Sequence, residues 1–363
     1  MALNTTFDSW PAMDSTNTTT PTPNCTLCNG TLPTFDPFEN LSLLPFYIFF
    51  SLIALAGLVG NLLIIIVILS QHKSKSAAYI FILNLAMADF LMLTMVPFRV
   101  TTYIINHAWI FGHAMCQVYF LVVGMNMFNV VFILMAMSVD RYFSVSQPFR
   151  SLDWKTRRKA KFLCFFLWIF AAVNDAPYVI FAELQQPSPG WDVCGYAFPG
   201  LGDDADFWNR VSEIYVTIIS FIIPLPVIAV THVCIIWHMR TNQPQGKISR
   251  RQCENGNRRE LDKTTKMVTA VVAVFLICWL PKNIVYLAYR FGLFDVPDEV
   301  TIAVELLLIA NSAINPYLYT IFGEQFRDSL RDMCCGKRKQ MVRSTPPAAR
   351  EDNIHVVELT SHV

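Results

Sequence analysis

Charge is scarce in this sequence. Only 15% of its 363 residues are Asp, Glu, Lys or Arg, against about 25% in an ordinary soluble domain. The 28 Lys+Arg and 27 Asp+Glu nearly cancel, leaving a formal net charge of +1. Without a basic surplus, a nucleic-acid-binding protein is disfavoured. With 54% apolar residues the chain is too hydrophobic to be disordered over most of its length. No His-rich metal cluster and no nucleophile–base constellation is visible, so a membrane enzyme ranks last among the readings. There is no internal repeat of the kind many transporters carry. The first 45 residues contain no Lys or Arg at all.

What is present is apolar sequence in blocks. Phe46–Leu69, Ala114–Val139 and Ile214–Met239 run free of charge for 24, 26 and 26 residues. About 20 apolar residues span a bilayer as a helix. Four more blocks are long enough but carry isolated charges: Tyr79–Ile105 (Asp89, Arg99), Phe162–Ala182 (Asp175), Met267–Phe291 (Lys282, Arg290) and Val300–Gly323 (Glu305). A buried helix of a soluble protein explains one such block, not seven. The runs are continuous rather than alternating, which favours helices over a barrel. Ionisable residues inside a span are costly, so each is a functional candidate.

Lys and Arg are distributed one-sidedly. Of 28, 24 fall in the first, third and fifth connections and after Gly323. The positive-inside rule makes that side cytoplasmic and the N-terminus extracellular. The cytoplasmic side then carries +13, the outer side −11 and the spans −1. The first span is expected to serve as the targeting signal. Asn4, Asn17, Asn24, Asn29 and Asn40 all stand in glycosylation sequons in the tail assigned to the outside. Cys25, Cys28, Cys116 and Cys194 also fall outside, where disulfides persist. A Cys116–Cys194 bridge would tie the second outer loop over the bundle. Cys25 and Cys28 are open between local pairing and metal binding. Cys164, Cys234 and Cys278 lie in spans and read as packing residues.

The polar residues within the spans form an ordered set. Along the chain stand Gly60-Asn61, Asn84-Leu85-Ala86-Met87-Ala88-Asp89, Trp109-Ile110-Phe111-Gly112, Asp140-Arg141-Tyr142, Trp168 and Phe221-Ile222-Ile223-Pro224. Phe275 with Cys278-Trp279-Leu280-Pro281 follows, then Asn311-Ser312-Ala313-Ile314-Asn315-Pro316-Tyr317-Leu318-Tyr319. Over residues 45–335 this set resembles the rhodopsin-like (class A) G-protein-coupled receptors. Met137-Ser138-Val139-Asp140-Arg141-Tyr142 and the aromatic, acidic loop from Cys194 through Phe207-Trp208 resemble the somatostatin, opioid and neuropeptide B/W peptide receptors.

The resemblance implies an all-α membrane protein: an extracellular tail (1–45), a seven-transmembrane helix bundle (46–322), an amphipathic membrane-surface helix (323–335) and a cytoplasmic tail (336–363). It implies a plasma-membrane receptor for a neuropeptide, not an enzyme, that passes extracellular ligand binding to a heterotrimeric G protein, with the inhibitory class expected, and to arrestin. A class A receptor for a small anionic or lipid ligand is the alternative. An ion channel or transporter using Asp89, Asp175 and Glu305 is the remote one.

Roles follow residue by residue. Pro224, Pro281 and Pro316 each remove a backbone hydrogen bond and offer kink points. The resemblance makes Trp279, with Phe275, a switch beneath the ligand; plain packing is the other reading. Arg141 is either a snorkelling cation or, paired with Asp140 beside Tyr142, the residue released toward the G protein with Asn315 and Tyr319. Asp89 with Asn126, Asn311, Ser312 and Asn315 implies an allosteric sodium ion, oxygen ligands suiting a hard cation; a protonated Asp89 is the alternative. Val130 departs from a serine often found in that site. His232 departs from a tyrosine that bonds near Arg141.

The ligand-binding candidates are Arg99, Val123, Met127, Trp279, Lys282, Tyr286 and Glu305. Val123 stands where amine, somatostatin and opioid receptors carry an aspartate, so that cation anchor is missing. The seventh span has no lysine for retinal. Arg99, Lys282 and Glu305 leave one cation over, whichever pairs with Glu305. The spare one is expected to meet an anionic ligand group, while acidic Asp203, Asp204, Asp206 and Glu213 would steer a cationic peptide. Asp175 has no assigned role beyond a protonated or paired structural acid. After span seven, Phe322, Phe326, Leu330 and Cys334 recur every four residues, the pattern of a surface helix. Cys334 and Cys335 are palmitoylation candidates. The terminal Ser361-His362-Val363 resembles a PDZ ligand.

Overall fold

A computed structural model of the chain describes residues 44–70, 77–105, 107–146, 156–188, 191–196, 198, 205–241, 251–293, 296–322, 327, 330 and 331. In chain order the elements are α1 (Leu44–Ser70), α2 (Ala77–Thr94), α3 (Val96–Ile104), α4 (Gly112–Ser146), α5 (Arg157–Ile180), β1 (Ala182–Ser188) and β2 (Trp191–Tyr196). Then come α6 (Ala205–Thr217), a π-helical turn (Ile218–Ile222), α7 (Pro224–Thr241), α8 (Arg251–Arg290) and α9 (Asp298–Phe322). Among the described residues, seven helical spans are long and apolar enough to cross a membrane. The second span is α2 with α3, and the fifth is α6, the π turn and α7. Several helices outrun their apolar blocks: α4 continues through Asp140 and Arg141 to Ser146, and α8 begins at Arg251. Hydropathy marks only the lipid-crossing part of a helix.

The interruptions have local causes. Pro97 cannot donate to Leu93, and the chain breaks just before it, Met95 N–H bonding back to Met92 C=O at 3.0 Å. In the fifth span Ile223 N–H reaches Ile218 C=O at 2.9 Å, an i→i−5 bond that inserts one extra residue directly before Pro224. In the seventh span Pro316 leaves the Ser312 carbonyl without its helical donor. Asn61 of α1 supplies one: its Nδ2 donates to that oxygen at 3.0 Å, and to Gly57 C=O at 3.0 Å. α5 opens on Thr156, whose hydroxyl accepts from Lys159 N–H.

α4 is the central helix, packed against α2, α5, α7, α8 and the β-hairpin. One large core cluster joins α1, α2, α4, α5, α7, α8 and α9 through Ile64, Leu85, Leu134, Val268 and Tyr319. A second joins α1, α3 and α9 around Phe50, Tyr103 and Ile302. Gly57 allows the second of these packings, to which Leu93 belongs. A Cβ there would stand 2.8 Å from the Ala313 backbone and 2.7 Å from Leu93 Cδ1. Trp168 Nε1 of α5 donates to Asn84 Oδ1 of α2 at 3.0 Å. The outward faces are apolar: Leu52, Phe162, Val173, Val233, Trp237 and Ile277 are exposed, as lipid contact requires.

β1 and β2 pair antiparallel beside the end of the bundle where α4 begins. A Cys116–Cys194 disulfide joins β2 to α4, with Cα atoms 5.6 Å apart. Trp109 N–H donates to Asp192 C=O at 2.7 Å and pins the hairpin a second time.

Candidate functional site

The bundle encloses a cavity of about 230 Å³ near the hairpin. All seven ligand-binding candidates line it: Arg99 on α3, Val123 and Met127 on α4, Trp279, Lys282 and Tyr286 on α8, and Glu305 on α9. The wall also includes residues that sequence reasoning did not select, notably Tyr119, Phe120, Asp175 and Tyr196. Glu213, read from the sequence as part of an acidic outer rim, faces the cavity from α6 instead. Asp175 carried a signal in its being ionisable within a span. The aromatic wall carried none, because aromatic residues occur throughout the spans.

Three charged residues in the outer halves of the spans sort cleanly. Arg99 pairs with Glu305 in a bidentate fork, Nη2 to Oε1 at 2.6 Å and Nε to Oε2 at 3.2 Å. Tyr103 closes the set, donating to Glu305 Oε2 at 2.5 Å and accepting from Arg99 Nη2 at 3.0 Å. Both acceptor oxygens of the carboxylate are therefore engaged, and the second span is tied to the seventh. Lys282 takes no part. Its Nζ lies 4.5 Å over the Tyr286 ring, a cation–π contact. Among the described residues no carboxylate lies within 4.0 Å of it. Lys282 is thus the spare cation, and it is aimed at the cavity.

Below this layer Trp279 stacks on Phe275, ring centroids 5.5 Å apart, both buried. Asn126 lines the cavity and also belongs to a buried polar cluster around Asp89. There Asn315 Nδ2 donates to Asp89 Oδ2 at 2.7 Å. Among the described residues, Asp89 Oδ1, Asn315 Oδ1 and Asn61 Oδ1 accept no hydrogen bond, and Asn129 uses neither side-chain atom. Asn311 and Ser312 are buried as well. Asp89 Oδ1 and Asn315 Oδ1, on two side chains joined by the Nδ2–Oδ2 hydrogen bond, are oxygens of the kind a hard cation takes. Among the described residues, no group of three His, Cys, Asp or Glu side chains gathers as a transition-metal site would need.

At the opposite end Arg141 is 6% exposed and folds onto Asp140, Nη2 to Oδ2 at 2.6 Å and Nε to Oδ2 at 3.1 Å. It is a paired cation, not a snorkelling one. His232 of α7 sits between two other spans, its Nε2 3.3 Å from Ser138 Oγ and its Nδ1 3.2 Å from Thr269 Oγ1. Tyr142 packs edge-on against Phe143, and Tyr319 is fully buried in the large core cluster. Cys164 and Cys278 are buried free thiols and Cys234 is half-buried. Leu330 packs on the same cluster from the helical residues that follow span seven. Phe326, Cys334, Cys335, the five sequons at Asn4, Asn17, Asn24, Asn29 and Asn40, Cys25, Cys28 and the terminal Ser361-His362-Val363 lie outside the described residues.

Comparison with known proteins agrees with this architecture. The family model described as "7 transmembrane receptor (rhodopsin family)" matches residues 60–319. Somatostatin receptor type 5 of Bos taurus is 36% identical over 315 residues, covering 85% of this chain and 80% of the relative. The Rattus norvegicus type 5 receptor is 36% identical over 299 residues, covering 80% and 78%. Somatostatin receptor type 2 of Mus musculus is 33% identical over 321 residues, covering 85% and 80%. Seven spans, the paired Asp140–Arg141, the prolines of spans five to seven and these relatives converge: the chain belongs to the rhodopsin family of seven-transmembrane receptors.

Proposed function

We propose that this receptor binds a peptide, whose tip enters the cavity between spans two to seven, and passes that event to a heterotrimeric G protein by helix rearrangement. The observation that carries the ligand reading is Lys282, a cation facing the cavity with an aromatic face against it and no carboxylate beside it. A cation held ready in a largely apolar wall favours an anionic ligand group, a peptide C-terminal carboxylate or an acidic side chain. The cavity holds a tip rather than a whole peptide, so the remainder would lie against the hairpin and outer tail. That the relatives are somatostatin receptors by name supports a peptide over a small anionic molecule, which stays as the second reading on the strength of the same lysine.

Ligand pressing on Trp279 would act on the stack with Phe275 and on the α8 segment that Pro281 weakens. The change at the far end is release of Arg141 from Asp140 and of the His232 contacts, freeing a face for the G protein. We assign the inhibitory G-protein class, arrestin and a PDZ protein as partners from the resemblance. Asp89, Asn126, Asn311, Ser312 and Asn315 would hold a sodium ion, which supplies a fixed positive charge to the buried carboxylate. The charge distribution favours an extracellular N-terminus and a cytoplasmic C-terminus in the plasma membrane, with the disulfide on the oxidising side.

The test is a peptide-library screen on cells expressing the chain, read by G-protein dissociation sensors of each class. Lys282→Ala should lower the potency of the resulting agonist tenfold or more at normal surface expression. Unchanged potency would remove Lys282 from the ligand site. Ion current through the purified chain in liposomes, with no ligand-dependent nucleotide exchange, would replace the receptor reading by a channel.

A further inference from the structure

Asp175 is the acid that nothing in the bundle uses. It sits on α5, the span least buried inside the protein, yet it is 2% exposed. Its Oδ2 is buried without a hydrogen-bond partner among the described residues, and no ion pair reaches the carboxylate. The neighbouring Asn174 behaves differently. Its amide donates to Phe170 C=O at 2.7 Å and accepts from the Tyr215 hydroxyl, so it already ties the fourth span to the fifth. Asp175 adds no tie. A carboxylate kept in an apolar wall with no donor is a costly arrangement unless something else supplies the donor.

The backbone across from it is shaped to admit it. Gly124 of α4 has no side chain, and a Cβ built there would overlap Asp175 Oδ1. The carboxylate therefore occupies the notch that the glycine leaves in the central helix. Asp175 and Gly124 both line the ligand cavity. Glu213 lines it too and makes no ion pair among the described residues. Lys282, on another span, is not in salt-bridge contact with either acid. Among the described residues the cavity thus presents an unpaired cation on α8 and unpaired acids on α5 and α6, of which only Asp175 sits with a buried oxygen that has no hydrogen-bond partner.

We infer that Asp175, reaching through the Gly124 notch, is the carboxylate that receives a cationic group of the ligand, an ammonium or a guanidinium. This deepens the receptor reading and rests on it only in taking the cavity as the ligand site. An occupant with a positive group at Asp175 and a negative group at Lys282 satisfies both walls at once. An alkylammonium donates three hydrogen bonds, one of which the Asp175 oxygen left without a partner could accept.

The test uses a matched pair of probes, 2-(2-naphthyl)ethylamine and 2-(2-naphthyl)ethanol, which differ only in the ammonium. Their affinities are taken from the melting temperature of the purified full chain in lipid nanodiscs, a readout that needs no G protein. The amine should bind at least tenfold tighter than the alcohol. Asp175→Asn should bring the two within twofold by weakening the amine alone. Gly124→Ala, which fills the notch and displaces the carboxylate, should do the same, and Glu213→Gln should keep the preference. Equal binding by the wild type, no binding by either probe, or a preference that survives both Asp175→Asn and Gly124→Ala overturns the assignment. So does a parallel loss of amine and alcohol in both variants, the mark of a packing residue. Failure of any peptide to drive nucleotide exchange, with amine selectivity intact, would instead sink the receptor reading alone.

Discussion

Replacing Arg99 by Met takes away the partner cation of Glu305, a mostly buried carboxylate that among the described residues keeps the Tyr103 hydroxyl as a donor. Removing one partner of a buried ion pair costs about 3–5 kcal/mol. Here the two side chains are 12% and 15% exposed, which favours the lower end, about 3 kcal/mol. With an unfolding entropy of about 2.1 cal/mol/K per residue, a chain of 363 residues loses roughly 1.3 °C of melting temperature per kcal/mol, so Arg99→Met should melt about 4 °C below the parent. Glu305→Leu should fall by a similar amount. The double variant Arg99→Met/Glu305→Leu leaves no stranded charge and should recover most of the loss, a coupling of about 2 kcal/mol or more. The assay is thermal unfolding of the detergent-solubilised receptor, followed by a thiol-reactive dye that reaches buried Cys164 and Cys278 only on unfolding. Lys282→Met is the internal control, since no carboxylate touches it, and should move the midpoint by less than about 2 °C. Single losses that are small and simply add in the double variant would refute the pairing. So would a Lys282→Met loss as large as that of Arg99→Met.

Gly57→Val forces a side chain against the Ala313 backbone and should cost about 1–3 kcal/mol, read as reduced melting temperature and surface expression. Asp89→Asn should abolish any rise in melting temperature when sodium replaces an organic cation, while leaving the melt in the organic cation close to that of the parent. A sodium response that persists would remove Asp89 from the cation site. His232→Phe breaks the contacts to Ser138 and Thr269, each worth about 1 kcal/mol, and should raise ligand-free nucleotide exchange severalfold. Unchanged basal exchange would mean that those contacts do not bias the helix arrangement.

The spans were legible because lipid demands uninterrupted apolar length, and that demand is local in sequence. The missing backbone donors at Pro224, Pro281 and Pro316 were legible for the same reason, since each is visible in one residue. The break before Pro97 and the π turn were not read. The π turn depends on how Ile218 and Ile223 meet across a turn, which no single residue announces. The pairing of Glu305 could not be chosen from sequence, because Arg99 and Lys282 stand on different spans and only packing decides between them. Asp175 was visible as an oddity, but its reason lies in Gly124, a residue with no side chain inside a charge-free run. The hairpin was hidden because Ala182–Ser188 is polar and lacks the alternation that marks a half-buried strand.

Asn61 donates to a carbonyl that Pro316 leaves bare, so the weak point of the seventh span is mended from the first. A patch made by a different helix acts as a set-point. If span seven turns about Pro316, that bond is lost, at about 1 kcal/mol. Such a sum is far too small to lock a conformation, yet it changes a two-state ratio about fivefold. The resting population of the receptor is then adjustable at a residue remote from both ligand and G protein, in steps the size of a single hydrogen bond.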